Sequence, residues 1–319
     1  MPGVNDSQDR AQPARPPTGQ RLLGSRWLQL GRDKRSAPRR EVASRLLDEL
    51  ITHGSEAEHA KRVVVIVAHP DDEAIGAGAL LRGLPTATVV HVTDGAPADV
   101  EYARQRGFQS REAYAAARRQ EVVTALKVIG IPPERIRGLG FVDGEAAWHL
   151  VDVSRAVMDI LEELKPDVIL THPYEGGHSD HDSTAFAVHL AAGILQREGV
   201  IAPVILELTS YHNYKGRRRL FNFLPFGDLA TRTLRLTGES RLIKRHMLGA
   251  FASQADIVET FPIEVERFRE APRYLFTVAP HEGELDYERR CKKVTGAEWR
   301  AQAQRALEAL RARRQFSGA

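Results

Sequence analysis

Five consecutive positions, His69-Pro70-Asp71-Asp72-Glu73, gather four proton-binding side chains directly after the apolar run from Val63 to Ala68. A second group, His172, His178, Asp180 and His181 in "THPYEGGHSDH", follows another apolar run, "PDVIL". Taken alone, the first cluster reads as a helix start, because proline suits the first turn and acids suit the positive end of the helix dipole. Two such clusters, each with His and Asp within three residues, ask for more, since unpaired ionisable groups gathered in a crevice destabilise a fold. A divalent cation answers the objection: it pairs with carboxylates and binds neutral imidazoles. Zinc in a catalytic site typically takes three protein ligands and keeps one position for water. His69 and Asp72, three apart across a strand-to-helix turn, can converge on one ion, and Asp71 then points elsewhere, beside the bound water. The third ligand comes from His172, His178 or His181, and spacing does not choose among them. The single cysteine, Cys291, forms neither an internal disulfide nor a thiolate cage, so the ligands are nitrogen and oxygen.

The elements that must position these residues are short β-branched runs bounded by Gly, Pro or Asp: "RVVVIVAH", "TATVVHVTDG", "ERIRGLGF", "PDVILTHP" and "PVILELTSY". Between them, helical patterns cover residues 73–82, 110–129, 150–164 and 182–197. The alternation predicts an α/β, Rossmann-like fold, a mostly parallel sheet covered by helices on both faces, with C-terminal additions. In such sheets the ligand crevice lies beyond the carboxyl ends of the strands, where both clusters fall. Gly76 and Gly78 follow the acids inside the helical stretch, so they read as small residues for close helix packing and not as a dinucleotide fingerprint. Residues 1–40 read as a flexible basic leader and 41–319 as a single domain, with a core over 61–210 and an extension over 211–319. An amphipathic helix is expected in "REVASRLLDELITHG", with further helical patterns near 240–256 and 297–314.

Composition fits a globular chain of 319 residues: 42% hydrophobic, 27% charged and a net charge of +3. No apolar run reaches the roughly 20 residues of a spanning helix, and the polar start lacks a signal-peptide core, which predicts a cytoplasmic protein. The basic leader lacks the aromatic interleaving or module of a nucleic-acid binder, so the expected partner is a small molecule. Contact with a membrane surface and homo-oligomerisation stay open.

"AHPDDE" followed by "HSDH" resembles the signature of the PIG-L/LmbE family of metal-dependent N-acetylglucosaminyl deacetylases, with Ser179 in place of the usual proline. The likeness extends less specifically over residues 61–200 and to "EVERFREAP". The resemblance implies that His69, Asp72 and His181 hold one Zn2+ or Fe2+, and that metal-bound water attacks the amide of an N-acetylglucosamine-type conjugate with Asp71 as general base. It further implies that His178 stabilises the oxyanion or protonates the leaving amine, and that Asp180 completes the catalytic group by fixing a histidine tautomer. Arg118 with Glu121, and Asp143, match substrate-side positions. Where the mycothiol-pathway members carry a tyrosine, this chain has Gly176, so Tyr211, His212 and Tyr214 are candidates to polarise the carbonyl. Glu73 is expected at the helix start or behind the ligands, and His172 as a structural neighbour. Segment 211–223 is either a lid or acceptor-side wall, or a surface loop or oligomer contact. Two rival readings remain: a two-metal phosphoester hydrolase drawing on Asp71, His178 and Asp180, and a non-catalytic metal-binding Rossmann-like protein.

Overall fold

A computed structural model of the chain describes residues 36–53, 61–290 and 292–312. The leader expected up to residue 40 lies outside the described residues as far as position 35, and Cys291 lies outside them too. Helix α1, Ser36–His53, begins inside the span read as leader.

Strand β1, Val63–Val67, is buried at every position. Its β-branched side chains alternate between two cores, Val63, Val65 and Val67 on one face, Val64 and Ile66 on the other. That is why the run lacks the polar alternation of a half-exposed strand. Helix α2, Asp72–Arg82, leads to β2, Thr88–Pro97. Helices α3, Val100–Gln105, and α4, Arg111–Lys127, precede β3, Ile136–Asp143. Helix α5, Leu150–Leu164, then β4, Val168–Thr171, α6, Ser179–Arg197, and β5, Val204–Leu208, complete the alternating part. The sheet runs β3-β2-β1-β4-β5, all parallel. The order reverses at β1, so the crevice between the ends of β1 and β4 is the topological switch point.

The remaining elements lie beyond Leu208. Strands β6, Tyr211–Tyr214, and β7, Arg217–Leu220, form a separate antiparallel hairpin. Strand β8, Arg232–Arg235, helices α7, Gly238–Gly249, and α8, Ala255–Val258, and strand β9, Val265–Glu270, follow. Helices α9, Asp286–Arg290, and α10, Gly296–Ala312, end the described chain. The sequence does not announce β8 and β9, which extend the sheet antiparallel beyond β5. Strand β9 buries two charges that mask its pattern: Glu266 pairs with Lys244 at 2.7 Å, and Arg269 with Glu207 at 2.7 Å.

Gly76 and Gly78 do serve packing: a Cβ on Gly76 would lie 2.5 Å from Leu208 Cδ1, and one on Gly78 would lie 3.3 Å from Met247 Sδ. Among the described residues no helix is long and apolar enough to cross a membrane.

Candidate metal centre

The turn from β1 into α2 sets the first three groups. Asp72 is the first helical residue, and its Oδ2 reaches back to accept the His69 backbone N–H at 2.8 Å. The same oxygen lies 3.2 Å from His69 Nδ1. Asp71 occupies the N-cap position but makes no cap hydrogen bond, and its backbone stands at φ 152°, ψ −25°. A non-glycine residue there stores strain of about 1–3 kcal/mol and persists only when its surroundings hold it. Three contacts hold Asp71: Arg118 Nη2 donates to its Oδ2 at 3.0 Å, its N–H donates to Glu73 Oε2 at 3.2 Å, and its carbonyl starts the helix ladder to Ile75. Adjacent aspartates thus face different ways, Asp72 toward the histidines and Asp71 toward Arg118.

The loop after β4 and the first turn of α6 bring the second cluster across the switch point. His181 Nε2 lies 3.2 Å from Asp72 Oδ1. His172 stacks on His181 with centroids 3.9 Å apart, and its Nε2 accepts the Ala68 N–H at 3.1 Å. The same nitrogen lies 3.3 Å from Asp72 Oδ2, so His172 packs against both His181 and Asp72. His178 caps α6 through Nδ1, which accepts the Asp180 N–H at 3.2 Å. A neutral ring with Nδ1 accepting carries its proton on Nε2, so His178 is set as a donor. Its ring stands edge-on to His69 at 4.6 Å.

Asp180 is fully buried. Its Oδ2 accepts the Gly144 N–H at 2.6 Å and lies 3.2 Å from His69 Nε2, while Oδ1 accepts the Ala146 N–H at 3.2 Å. The expectation that Asp180 hydrogen-bonds a histidine agrees with this placement, its Oδ2 facing His69 Nε2 and both oxygens accepting backbone N–H groups. Arg118, expected to match a substrate-side position, is 3% exposed and donates to the Pro70 and Gly95 carbonyls, at 2.6 and 3.0 Å, as well as to Asp71. Glu121 accepts from the Ser253 backbone and hydroxyl, each at 2.7 Å. Asp143 stays at the rim, Oδ1 3.2 Å from His69 Nε2 and its side chain 18% exposed.

Sequence reasoning missed His91, whose Nε2 lies 2.9 Å from Glu73 Oε2, both groups buried. This pair anchors the carboxylate that holds the Asp71 N–H. The signal was present, a histidine amid the buried run "TVVHV", which demands a partner. Also missed is a buried ionic group behind the second cluster. Glu175 accepts from the Leu224 N–H at 2.6 Å and from Arg269 at 3.2 Å, with its other oxygen 3.1 Å from His212 Nδ1.

Gly176 explains the missing tyrosine. It sits at φ +70°, and a Cβ there would lie 2.6 Å from Leu285 Cδ2. Leu285, from the C-terminal extension, fills the space a larger side chain would need. Of the three substitutes expected, Tyr211 faces the cluster, its ring 5.5 Å from that of His181. His212 is buried against Glu175, and Tyr214 packs edge-on to His281 at 6.1 Å.

The donor set fits a cation. One nitrogen or oxygen from each of His69, Asp72 and His181 lies within 4.8 Å of the others, and a second such set, His69, His178 and Asp180, shares His69. Asp71, Asp72, Asp143 and Asp180 crowd round these histidines. Burial works to lower the His69 pKa, yet Asp143, Asp180 and Asp72 hold it well above its ordinary value. Burial pushes Asp71 up to about 8 against the pull of Arg118. Burial also works to raise Asp72, but His181 and His172 hold it well below the usual carboxylate range. Burial lowers His181 to about 4, which keeps it neutral. The cluster as a whole draws in positive charge, and a divalent cation meets that demand while leaving both ligating imidazoles neutral.

The chain thus combines a Rossmann-like sheet with a His/Asp cluster at its switch point. Residues 64–192 match the family model PIG-L, GlcNAc-PI de-N-acetylase. Over 143 residues it is 34% identical to a probable N-acetyl-alpha-D-glucosaminyl L-malate deacetylase 2 of Bacillus cereus, covering 43% of this chain and 64% of that protein. Over 195 residues it is 26% identical to the 1D-myo-inositol 2-acetamido-2-deoxy-alpha-D-glucopyranoside deacetylase of Kineococcus radiotolerans, covering 48% and 54%. The chain thus spans less than two thirds of the length of these relatives. The fold is shared with a deacetylase of the teicoplanin biosynthesis pathway at a TM-score of 0.53 and 18% identity, covering 67% of this chain and 99% of that one.

Proposed function

We propose that the protein is a metal-dependent hydrolase that removes the N-acetyl group from an N-acetylglucosamine-type conjugate. The observation that carries this reading is the convergence of His69, Asp72 and His181 from two distant loops, with Asp71 turned out of the donor set beside them. These three residues hold the cation, and their nitrogen and oxygen donors suit Zn2+ or Fe2+. When bound, the cation supplies Lewis acidity that polarises the amide carbonyl and acidifies a water molecule.

Everything else falls to the chain's own groups. Asp71, held by Arg118 and by the Glu73 contact to its N–H, takes the proton of the attacking water as general base. His178 donates from Nε2 to the oxygen that gains charge, a type of contact worth about 2.7–4 kcal/mol in the transition state. A proton from His178 or Asp71 then reaches the departing nitrogen, and acetate and a free amine leave. Asp180 keeps His69 oriented, and Asp143, at the exposed rim, is the acid available to sugar hydroxyls.

A two-metal phosphoesterase is the weaker reading. The second donor set needs the same His69, and its Asp180 oxygens already accept backbone N–H groups. A purely structural metal is weaker too, because the centre keeps an open edge at Asp143 and His178, with side chains 18% and 15% exposed. The test is an acetate-release screen over N-acetylglucosamine conjugates with metal supplied and withdrawn. Metal-dependent acetate from at least one conjugate is expected; release of phosphate from phosphoesters, without acetate from any amide, would reject the reading.

A further inference from the structure

The Nη groups of Arg118 serve the Pro70, Gly95 and Asp71 oxygens, while its buried Nε makes no hydrogen bond. How firmly the guanidinium plane is held therefore depends on what stands beside it. One helical turn earlier on α4 is Tyr114, fully buried, and residues four apart share a helix face. Burial pushes the Tyr114 hydroxyl above its ordinary pKa against the pull of Arg118, so hydroxyl and guanidinium interact directly. The ring is fixed in turn by Phe108, stacked on it at 4.9 Å, and by Tyr102 at 6.2 Å.

The C-terminal extension reaches the same hydroxyl. Gln254, buried and outside the matched segment 64–192, donates from Nε2 to the Tyr114 hydroxyl oxygen and, at 2.9 Å, to the Ser253 carbonyl. It closes a single 3-10 turn, Ala252–Gln254, that two charged side chains fasten to the core. Glu121, three residues after Arg118 on α4, accepts the Ser253 N–H and hydroxyl at 2.7 Å each. Arg106, which caps α3, donates to the Ser253 carbonyl at 3.2 Å and pairs with Asp256. A turn pinned by both α3 and α4 gives the Gln254 amide one position.

We propose that Gln254 and Tyr114 are positioning residues for the reaction, acting through Arg118 on Asp71. This inference rests on the deacetylase reading, with Asp71 as base, and adds that the C-terminal extension sets the geometry of that base. The lever is the strain at Asp71: a residue at φ 152° stays in place only while its neighbours hold it. One Arg118 nitrogen, Nη2, touches both the Pro70 carbonyl and the Asp71 carboxylate. A guanidinium that tilts thus moves the backbone before Asp71 and the carboxylate together. A misplacement of about 1 Å, caused by groups remote from the chemistry, costs up to about 10²-fold in rate. Neither Tyr114 nor Gln254 belongs to a candidate metal-donor group, so metal content should not change.

Steady-state kinetics of the metal-loaded full chain, on the best conjugate from the acetate-release screen, tests it, with metal content and thermal melts as controls. Tyr114→Phe, which keeps the ring and its stacking, should lower kcat about 5–10-fold with KM within about twofold. Gln254→Leu should lower kcat about threefold, again with KM held. The losses should not multiply: Tyr114→Phe with Gln254→Leu should match Tyr114→Phe alone, and each change should be silent in an Arg118→Met background. Unmoved kcat in both single variants, losses that multiply in the Arg118→Met background, or loss of metal would overturn the inference. Urea unfolding reads the same relay without turnover. There Tyr114→Phe and Asp71→Asn should be coupled by about threefold or more in the unfolding constant, and independent effects would overturn the inference as well. No acetate from any conjugate, with that coupling present, would instead reject the deacetylase reading alone.

Discussion

Replacing Arg118 with methionine, similar in reach but without donors, should cost the protein several kcal/mol and most of its turnover. The guanidinium is 3% exposed and serves three oxygens, those of Pro70 and Gly95 at 2.6 and 3.0 Å and Asp71 Oδ2 at 3.0 Å. Removing one partner of a buried pair costs about 3–5 kcal/mol. Two carbonyls left without a donor add to this, about 1 kcal/mol each at the low end. Protonation limits the charge part, since burial already pushes Asp71 up to about 8. The expected loss is therefore about 4 kcal/mol, a large share of the roughly 5–15 kcal/mol that holds a typical domain together. In an Asp71→Asn background the same change leaves no buried charge behind and should cost less by about 1–3 kcal/mol. Urea unfolding of the four proteins, analysed by linear extrapolation, measures both quantities. A loss under about 1 kcal/mol for Arg118→Met, or strict additivity in the cycle, would refute the picture of Arg118 as the clamp beneath Asp71.

Glu207 should impose a pH dependence on stability. Burial raises its folded pKa to about 7 from 4.5, against the pull of Arg269. A raised acid carries a cost that is absent below pH 4.5 and complete above 7, so stability falls as pH rises through that window, by about 3 kcal/mol. Glu207→Gln should flatten this slope in unfolding measured from pH 4 to 8, and an unchanged slope would assign it to another group. Gly176→Ala meets Leu285 and a positive φ together, which should lower stability by about 1–3 kcal/mol in a thermal melt. An alanine tolerated without loss would mean that Leu285 yields. His178→Ala should bind metal as the parent does and release acetate about 10²–10³-fold more slowly; loss of metal would instead place His178 among the ligands.

The parallel core and both clusters were legible because their signals are local. β-branched runs buried on both faces mark β1, β2, β4 and β5, and the histidines and aspartates stand directly at the strand ends. The opposite facing of Asp71 and Asp72 was also legible, since neighbours at a strand-to-helix turn cannot both reach one point. Legibility failed where a partner is distant in sequence. Arg118 looked solvated or substrate-facing until Pro70, Asp71 and Gly95 closed round it. Strand β9 was hidden because Glu266 and Arg269 find Lys244, Glu207 and Glu175 only in three dimensions. The departure at Gly176 had no local explanation, because Leu285, which occupies the space, is more than a hundred residues away. Likewise "YHNYKGRRRL" carries alternation too short to separate a hairpin from a loop, and its role depends on Tyr211 meeting His181.

The central claim is one cation shared by His69, Asp72 and His181, with Asp71 as base beside it. Metal content per chain, read by elemental analysis alongside acetate release in wild type, Asp71→Asn and His181→Ala, tests it most directly. One metal is expected in wild type and in Asp71→Asn, with release slowed about 10²–10⁴-fold in the latter, and His181→Ala should lose the metal and the activity together. A full complement of metal in His181→Ala, or undiminished acetate release from Asp71→Asn, would contradict the account.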